Sequence, residues 1–218
     1  MEGFMTEKEK MLSGRIYDSS DSELLEIRVN AHKLCSDYNK TYETEVEKRS
    51  DILKKLLPGY GGNLYLQGPV QFDYGKFTFF GNGCYANFNL VVLDCAPVTI
   101  GDNVFFGPNC SLVTPVHPFL NEERKAKQKP DGTVFVDEYA KPIVIKSGCW
   151  LASNVTVCGG VTIGENCVIG AGSVVTRDIP PNSLAAGVPC RVIRTLSEKD
   201  SLKKIFSGSL DAESSVKK

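Results

Sequence analysis

The sequence predicts a mainly β protein, a parallel β-helix with a helical cap at its amino-terminal end and a long excursion loop. Three observations support this prediction. Aliphatic residues recur with a period of six, capping motifs precede helical patterns near the start of the chain, and a polar stretch interrupts the repeat. The 218 residues accordingly divide into a helical cap at 1–58, a β-helix at 59–196 with its loop at 117–141, and a short helix and tail at 197–218.

The six-residue repeat is clearest between Lys141 and Arg194. One apolar column contains Ile145, Leu151, Val157, Ile163, Ile169 and Val175, and a second, two residues earlier, contains Ile143, Cys149, Val155, Val161, Cys167, Ser173 and Ile179. A helical face repeats near 3.6 residues and a strand face near 2, so this period indicates short strands joined by regular corners. Three such strands close a triangular coil of about eighteen residues. Stacked coils would place Ile145 over Ile163, Leu151 over Ile169 and Val157 over Val175.

The region before residue 58 predicts helices. Three segments fit the S/T-x-x-E capping box, in which side chains and backbone N–H groups satisfy each other: Thr6 with Glu9, Ser20 with Glu23, and Thr44 with Glu47. Apolar residues at helical spacing follow the last two motifs, namely Leu24, Ile27, Ala31, Leu34 and Tyr38, then Val46, Ile52, Leu53, Leu56 and Leu57. We expect these helices to cover the first coil, whose edge would otherwise be unpaired. His32 falls on this stretch and is interpreted as a surface or satisfied helix histidine.

The repeat is irregular before residue 112 and then stops. Its interval from Val92 to Ile100 is eight residues, so one corner is expected to carry two extra residues. From His117 to Lys141 the chain is polar and charged, after which the repeat resumes in register. A long excursion from a periodic solenoid commonly serves a site or an interface. We therefore expect it to project from one corner of the column.

Composition argues against several functional classes. The net charge of −1 gives no basic field for phosphate neutralisation, which argues against a dedicated nucleic-acid partner. The chain has no run of about eighteen apolar residues and no amino-terminal export signal, which predicts a cytoplasmic protein with no membrane partner. The eight Cys contain no C-x-x-C pair, and several fall on the repeat columns. They are interpreted as reduced structural thiols rather than as a metal site.

His117 is the candidate general base. It is one of two His in the chain and begins the excursion directly after a corner, outside the apolar columns. An imidazole at such a position can face a cleft and accept a proton from a hydroxyl near neutral pH. A loop histidine without a functional role is the alternative.

Polar residues of the preceding coils are expected near His117, namely Asp73, Tyr85, Asn87 and Asp94. The segment from Tyr85 to Asn89 alternates aromatic and amide side chains, which suit a polyhydroxylated ligand. The asparagines could equally form stacked ladders at the corners of the solenoid. The residues alone leave both interpretations open.

Several segments carry a resemblance to a known family. They are Asn87-Phe88-Asn89-Leu90, the run from Val98 to Val104, the loop start from Thr114 to Pro118, and the ending from Ala185 to Arg194. Together with the charged segments from Met5 to Met11 and from Glu45 to Arg49, they closely resemble the maltose and galactoside O-acetyltransferases. The resemblance covers nearly the whole chain before the tail.

The resemblance implies a left-handed β-helix, assembled as a homotrimer with three active sites between neighbouring subunits. It also implies acetyl-CoA as co-substrate, no metal, and direct transfer within a ternary complex. His117 would be the general base that takes the proton from the acceptor hydroxyl, and Glu138 would orient its imidazole. The backbone amide of Ser153 would stabilise the oxyanion that forms when the hydroxyl attacks the thioester carbonyl.

The same matching implies two sets of binding residues. The acceptor contacts would be Asp18, Asp73, Tyr85 and Asn87, and the coenzyme A groove would contain Trp150, Ser153, Gly160, Ala171, Thr176, Arg177, Arg191 and Arg194. Small residues admit a pantetheine arm and arginines suit phosphates, although plain solvent exposure is the alternative for Arg191 and Arg194. The loop segment from Ala126 to Asp137 is longer than in the bacterial relatives, so maltose or a galactoside should not be assumed as the acceptor.

The predicted function is therefore the acetyl-CoA-dependent acetylation of a hydroxyl group on a sugar or related small molecule. One alternative keeps the fold and changes the acceptor to serine, an antibiotic or a glycan. Another is a non-catalytic structural or binding protein of the hexapeptide group, which would bind no coenzyme A. The carbonic-anhydrase branch of this fold is excluded, because it needs three His ligands and the chain has two His.

Overall fold

The structure is a computed structural model that describes residues 5–203. Its helices are α1 (Glu7–Leu12), α2 (Ser22–Asn39), α3 (Val46–Leu56) and α4 (Asn121–Arg124), with a 3-10 turn at Glu198–Asp200. The predicted capping box at Thr6 is confirmed, since its Oγ1 accepts from the Glu9 N–H at 3.2 Å and its own N–H donates to Glu9 Oε2 at 2.8 Å. Most of the predicted carboxyl-terminal tail, residues 204–218, lies outside the described residues.

The capping box predicted at Ser20 is wrong. Helix α2 has Asp21 as its N-cap, and Asp21 Oδ1 accepts from the N–H groups of Glu23 and Leu24 at 3.0 and 3.3 Å. The Ser20 hydroxyl instead donates to Asp18 Oδ1 at 2.6 Å. The helix therefore begins one residue later, because the Ser20 hydroxyl already binds Asp18 and the Asp21 carboxylate is free to cap.

The capping box predicted at Thr44 is also wrong. The N-cap of α3 is Glu45, which makes no side-chain cap. Its carboxylate turns back instead and accepts from the Tyr42 N–H at 2.7 Å. This bond fixes the turn before the helix, so the start of α3 does not depend on the Thr44 hydroxyl or on Glu47.

Short strands make up most of the remaining chain. They are β1 (Tyr17–Asp18), β2 (Tyr65–Leu66), β3 (Val70–Phe72), β4 (Thr78–Phe80), β5 (Tyr85–Ala86), β6 (Leu90–Leu93), β7 (Val98–Ile100), β8 (Phe105–Phe106), β9 (Ser111–Val113), β10 (Pro115–Val116), β11 (Lys127–Gln128), β12 (Val134–Phe135), β13 (Asp137–Ala140), β14 (Ile143–Ile145), β15 (Trp150–Leu151), β16 (Thr156–Cys158), β17 (Thr162–Ile163), β18 (Val168–Ile169), β19 (Val174–Val175), β20 (Ser183–Ala186) and β21 (Arg191–Thr195). Most of these strands stack in three sheets. Sheet I has the order β4-β7-β14-β17, sheet II the order β2-β5-β8-β15-β18-β20-β21, and sheet III the order β3-β6-β9-β16-β19.

The three sheets are the three faces of a column. Successive strands visit sheets I, II and III in turn, so each full coil contributes one strand to every face. Pairing is parallel throughout these sheets except between β20 and β21. The stacking predicted from the period of six is confirmed, with Ile145 on Ile163, Leu151 on Ile169 and Val157 on Val175.

The core runs along the axis of the column and is built from the inward residues of the two repeat columns. Six cysteines belong to this core, namely Cys35 of helix α2 and Cys84, Cys110, Cys149, Cys167 and Cys190 of the column. All eight cysteines are free thiols, as predicted. Buried positions near the corners of the column have room only for small side chains. A Cys thiol fills such a position as a small apolar group.

Asparagine occupies many of the corners, where the backbone turns through the left-handed region. The residues with positive φ, between 54° and 62°, are Asn63, Asn89, Asn103, Asn109, Asn154, Asn166 and Asn182. Asn89 Nδ2 donates to Asn109 Oδ1 at 2.8 Å, one coil away. Asn and Gly are the residues that tolerate this conformation best, so the corner ladder explains Asn89.

Coils before the excursion are longer than those after it. Phe80 pairs with Ile100, twenty residues later, whereas Ile145 pairs with Ile163, eighteen residues later. The two extra residues lie between sheets III and I, where the eight-residue interval after Val92 predicts them. The same enlargement occurs one coil earlier, between β3 and β4, and was not predicted.

Helices α2 and α3 cover the first coil. The guanidinium of Arg49, only 7% exposed, lies between these helices and strand β2. Its Nη2 donates to Tyr38 Oη at 2.7 Å, to the Leu66 carbonyl at 2.5 Å and to the Gln67 carbonyl at 3.1 Å. Burial raises the pKa of Tyr38 to about 12, against the opposing effect of the Arg49 charge. Strand β2 is the edge strand of sheet II and, among residues 5–203, has no neighbouring strand on its outer side. Arg49 thus provides hydrogen-bond donors to carbonyls at this edge.

The excursion leaves and re-enters the column at one corner, where the Lys141 N–H donates to the Thr114 carbonyl at 3.0 Å. Its two ends, β10 and β13, pair antiparallel, and β13 also pairs with β1 near the start of the chain. Between them lie α4 and the antiparallel hairpin β11–β12. The excursion is therefore held by a three-stranded sheet against the amino-terminal segment. Within residues 5–203, no helix combines the length and the apolar character that a membrane span requires.

Candidate active site

His117 and Glu138 lie side by side at the base of the excursion. Strand β10 pairs Val116 with Tyr139, so the next step of the same register places His117 opposite Glu138. His117 Nε2 is 3.7 Å from Glu138 Oε2, within ion-pair range but too long for a direct hydrogen bond. The imidazole is half exposed and faces an open cavity of about 380 Å³, lined also by Ile16, Phe119 and Leu120. The structure thus places the predicted base and its predicted partner together in a cleft.

Tyr17 lies on the other side of Glu138 from His117, so the three side chains form a row. It is the register partner of Glu138 in the pairing of β1 with β13, and its hydroxyl donates to Glu138 Oε1 at 2.6 Å. Tyr17 is 2% exposed, and burial is the largest of several effects that raise the pKa of its hydroxyl well above the usual range. Sequence reasoning missed Tyr17, because a strand of two residues leaves no periodic pattern.

Behind Tyr17 lies a small buried polar cluster. The Cys95 thiol, 4% exposed, is a hydrogen-bonding neighbour of the Tyr17 hydroxyl. Its Sγ is 3.7 Å from Asp73 Oδ2, and Asp73 Oδ1 is 3.7 Å from His32 Nε2. Asp73, a predicted acceptor contact, therefore lies near the Tyr17 end of the row. His32 is about half exposed on α2, as expected for a surface helix histidine.

Asp18 is bound to the excursion rather than open to solvent. Its Oδ1 accepts from the Ser20 N–H at 2.8 Å and from the Ser20 hydroxyl, and its Oδ2 pairs with Lys129 on hairpin β11–β12. Burial alone would raise the pKa of Asp18, but the hydrogen bonds from Lys129 and Ser20 outweigh it and lower the pKa. Asp18, another predicted acceptor contact, thus anchors the long loop to the amino-terminal segment.

Asp94 does not reach the His117 cleft, contrary to expectation. It is fully buried in the enlarged corner, where Oδ1 accepts from the Tyr74 N–H at 2.8 Å and Oδ2 accepts from the Thr78 hydroxyl at 3.0 Å. Burial raises its pKa despite these hydrogen bonds. The residue closes the wide corner and has no surface to offer a ligand.

A second cleft lies on the outer surface of sheet II. Its volume is about 300 Å³, and its lining includes Tyr85, Asn87, Trp150 and Ser153. Phe105 lies on the strand between those of Tyr85 and Trp150 and is in register with both residues. The predicted acceptor contacts Tyr85 and Asn87 therefore share one groove with two predicted coenzyme A contacts.

Gly107 shapes the floor of this groove beside Ser153. A Cβ at Gly107 would come within 2.7 Å of the Ser153 backbone nitrogen, closer than real Cβ contacts. The corner after β8 therefore admits only glycine without displacing the Ser153 amide. This amide is the predicted oxyanion donor.

Tyr85 and Asn87 are not beside His117 in the single chain, contrary to expectation. They lie on sheet II, whereas His117 follows the end of sheet III. The two clefts described above share no lining residue. The predicted site is therefore divided between two surfaces of one column.

The remaining predicted coenzyme A contacts are exposed and lie along two edges. Ala171 follows β18 on the edge between sheets II and III, one coil above Ser153. Gly160, Thr176 and Arg177 follow β16 and β19 on the edge between sheets III and I. This second edge is the one from which the excursion and His117 depart, since Gly159 packs against the Thr114 carbonyl.

The two terminal arginines lie on β21. Arg191 Nη1 donates to the neighbouring Cys190 carbonyl at 2.7 Å. The Arg194 guanidinium binds both carboxylate oxygens of Asp200, at 2.8 and 2.5 Å, and lowers the pKa of Asp200 to about 2. A phosphate that binds Arg194 must therefore compete with Asp200.

The described residues contain no group of three or more His, Cys, Asp or Glu side chains arranged to hold a metal ion. Besides His117, the charged side chains that line its cleft are Glu123, Asp137 and Glu138, and Lys127 pairs with Asp137.

Sequence comparisons match three family descriptions along the chain. The maltose acetyltransferase hexapeptide capping motif matches residues 10–61, the hexapeptide repeat of succinyl-transferase residues 97–117, and the bacterial transferase hexapeptide residues 142–177. Galactoside O-acetyltransferase of Escherichia coli is 41% identical over 208 residues, which cover 95% of this chain and 97% of that protein.

Solved structures give the same result. A maltose O-acetyltransferase from Clostridium difficile superimposes with a TM-score of 0.81 and 42% identity, covering 90% of this chain and all of that one. A galactoside acetyltransferase in complex with coenzyme A gives a TM-score of 0.82 and 42% identity, covering 90% and 94%. The predicted fold, a left-handed parallel β-helix of hexapeptide repeats, is confirmed.

Proposed function

Because the chain belongs to the maltose and galactoside O-acetyltransferase family and is an acetyltransferase, we propose that it transfers the acetyl group of acetyl-CoA to a hydroxyl of a sugar or related small molecule. The observation that carries the proposal is the His117–Glu138 pair at the mouth of a cleft. A carboxylate beside one ring nitrogen favours the tautomer protonated there. The opposite nitrogen is then free to accept a proton.

The reaction needs a base, an oxyanion donor and two binding surfaces. His117 takes the proton from the acceptor hydroxyl as its oxygen attacks the thioester carbonyl. The Ser153 N–H donates to the developing oxyanion, and the collapse of that intermediate breaks the carbon–sulfur bond. The proton on His117 then passes to the thiolate of coenzyme A, which restores the neutral imidazole.

The side chains along the two edges, between sheets II and III and between sheets III and I, suit coenzyme A. The small residues Gly160 and Ala171 are exposed and leave room for an extended pantetheine arm. Arg177, Arg191 and Arg194 are exposed cations suited to phosphate groups. The half-exposed ring of Trp150 offers a flat surface at the start of the groove.

The division of the site supports a homotrimer with active sites between subunits. His117 belongs to one edge of the column, while Tyr85, Asn87, Trp150 and Ser153 belong to the groove on sheet II. A neighbouring column that presents its edge to this groove completes the set. Cyclic assembly with three such interfaces gives three equivalent sites.

The acceptor is proposed to lie between the His117 cleft and the groove of the neighbouring subunit. Tyr85 supplies an aromatic face and Asn87 an amide, the combination that suits a polyhydroxylated ring. Asp73 would add a carboxylate from the Tyr17 end of the row.

The test is a panel of acceptors assayed by the release of free thiol from acetyl-CoA. The panel contains glucosides, galactosides and maltose together with serine and an antibiotic that carries a hydroxyl. We expect turnover with at least one sugar, and a loss of about 10²- to 10⁴-fold in the His117→Ala variant with coenzyme A binding retained. Undiminished turnover in that variant, or turnover with serine or the antibiotic alone, would overturn the proposal.

A further inference from the structure

We propose that Tyr17 is a positioning residue that holds the Glu138 carboxylate against His117 and thereby sets the tautomer of the base. The inference rests on the proposed function, because it assigns Tyr17 a role in the same site. The inference rests on a row of three neighbouring side chains, namely Tyr17 on β1, Glu138 on β13 and His117 directly after β10, with Glu138 in the middle.

The geometry leaves Glu138 one oxygen for each neighbour. Its Oε1 accepts from the Tyr17 hydroxyl at 2.6 Å, and its Oε2 faces His117 Nε2 at 3.7 Å. A carboxylate on a short strand can rotate about its side-chain torsions. A short hydrogen bond at Oε1 removes that freedom and points Oε2 at the imidazole.

Burial keeps the Tyr17 hydroxyl protonated and bonded to Glu138. Tyr17 is 2% exposed, and the Glu138 side chain is 12% exposed, so little water competes for either group. The tyrosine also stays protonated, since burial and the neighbouring Cys95 and Glu138 groups all disfavour the phenolate. The hydroxyl therefore serves only as a hydrogen-bond donor toward Glu138.

The direction of the row has a chemical consequence. His117 gains a proton when it acts as the base, and the nearby carboxylate stabilises the imidazolium that forms. With Oε2 held in place, the Nε2 proton is favoured before the reaction, and the opposite nitrogen faces the acceptor. Without the hydroxyl, Glu138 can turn away and the imidazole populates both tautomers.

Tyr74 provides a matched control. It lies in the same buried cluster as Tyr17 and is also 2% exposed, and its hydroxyl accepts from Arg28 at 3.3 Å rather than bonding to Glu138. Tyr74→Phe removes a buried hydroxyl from this cluster, as Tyr17→Phe does, but it leaves the hydrogen bond to Glu138 intact. Any general effect of losing such a group on the packing of the cluster should appear in both variants.

The experiment compares Tyr17→Phe, Tyr74→Phe, Glu138→Gln and the double variant Tyr17→Phe/Glu138→Gln in the full-length protein. We expect Tyr17→Phe to lower kcat by about tenfold with the KM for acetyl-CoA unchanged, and Tyr74→Phe to change kcat less than twofold. In the Glu138→Gln background the Tyr17→Phe effect should shrink to less than twofold, because the hydroxyl acts through that carboxylate.

A second readout is the nitrogen-15 spectrum of the imidazole rings. The chain has two His, so the spectrum of His117→Ala assigns both signals. We expect a single tautomer of His117 in the unmodified protein and a mixture in Tyr17→Phe. Equal losses in both phenylalanine variants, an additive double variant, or an unchanged His117 signal would overturn the inference. An active His117→Ala protein would instead overturn the proposed function itself.

Discussion

His117 and Ser153 lie at two different edges of one column. Ser153 follows β15 at the edge between sheets II and III, and His117 follows the edge between sheets III and I. The six residue steps from Ser153 to Gly159 along sheet III span at most about 20 Å. The proposed oxyanion donor and the proposed base of one chain therefore lie on different edges, and in the proposed trimer a neighbouring subunit would bring the complementary halves together.

The first prediction concerns the Ser153 amide. Gly107→Ala places a Cβ where it would be 2.7 Å from the Ser153 nitrogen, so that amide must move. We expect kcat to fall at least about tenfold, because loss of one oxyanion donor commonly costs 10²- to 10³-fold and here the donor is displaced rather than removed. Thiol release with saturating acetyl-CoA measures the effect.

Gly101→Ala is the control for this substitution. Its Cβ would meet the Ser147 nitrogen at 2.5 Å, which strains an equivalent corner between sheets I and II outside both clefts. Similar unfolding temperatures with a selective loss of kcat in Gly107→Ala are expected. Equal kcat values in the two variants would exclude Ser153 as the donor.

The second prediction concerns the ion pair between Asp18 and Lys129. Asp18→Asn and Lys129→Met should each lower the unfolding temperature slightly at pH 7, and the double variant should lower it no further than either single one. The pKa of Asp18 is lower in the folded protein than in the unfolded chain. The stabilisation is therefore present above the ordinary carboxyl pKa and is lost as the pH falls through the lowered folded value.

Thermal unfolding at matched pH values checks this sign. The difference between the unmodified protein and Asp18→Asn should be full near neutrality and shrink at pH values below about 4. A difference that grows on acidification would mean that Asp18 does not act through its charge on Lys129.

The third prediction concerns the cap of the column. Arg49→Met removes a donor from the Tyr38 hydroxyl and the Leu66 carbonyl, which are buried, and from the partly buried Gln67 carbonyl. We expect a loss of about 3 kcal/mol in the free energy of unfolding. Lys48→Met on the same helix breaks only an exposed pair with Glu45 and should leave the free energy of unfolding almost unchanged. Equal losses in urea titrations would argue against the capping role.

Much of the column could be predicted from sequence. The period of six gives the strand positions and also the register of stacked coils, since residues such as Ile145 and Ile163 are separated by one full coil. This works because each coil buries the same inward positions against the next. The helix starts were harder, because Asp21 and Glu45 compete with the hydroxyls of their neighbours.

The site was only partly predictable. His117 could be singled out because it begins the excursion just beyond the apolar columns. The hydrogen bond that links Tyr17 to its partner Glu138, however, joins residues 121 positions apart through strands of two to four residues. Antiparallel pairing of such short strands leaves no periodic signal. The separation of Tyr85 from His117 also depends on which face of the column each residue occupies. The family resemblance implied sites between subunits, but it did not say which residues share one surface of a single chain.

The most direct test of the account is complementation between two inactive subunits. His117→Ala keeps the groove intact, and Trp150→Ala combined with Gly107→Ala keeps the base intact. Each variant alone should show little turnover. When the two are co-expressed in equal amounts, random cyclic assembly joins an intact base to an intact groove at about a quarter of the interfaces, so we expect about a quarter of the unmodified activity. Activity no greater than that of the separate variants would contradict a site shared between subunits.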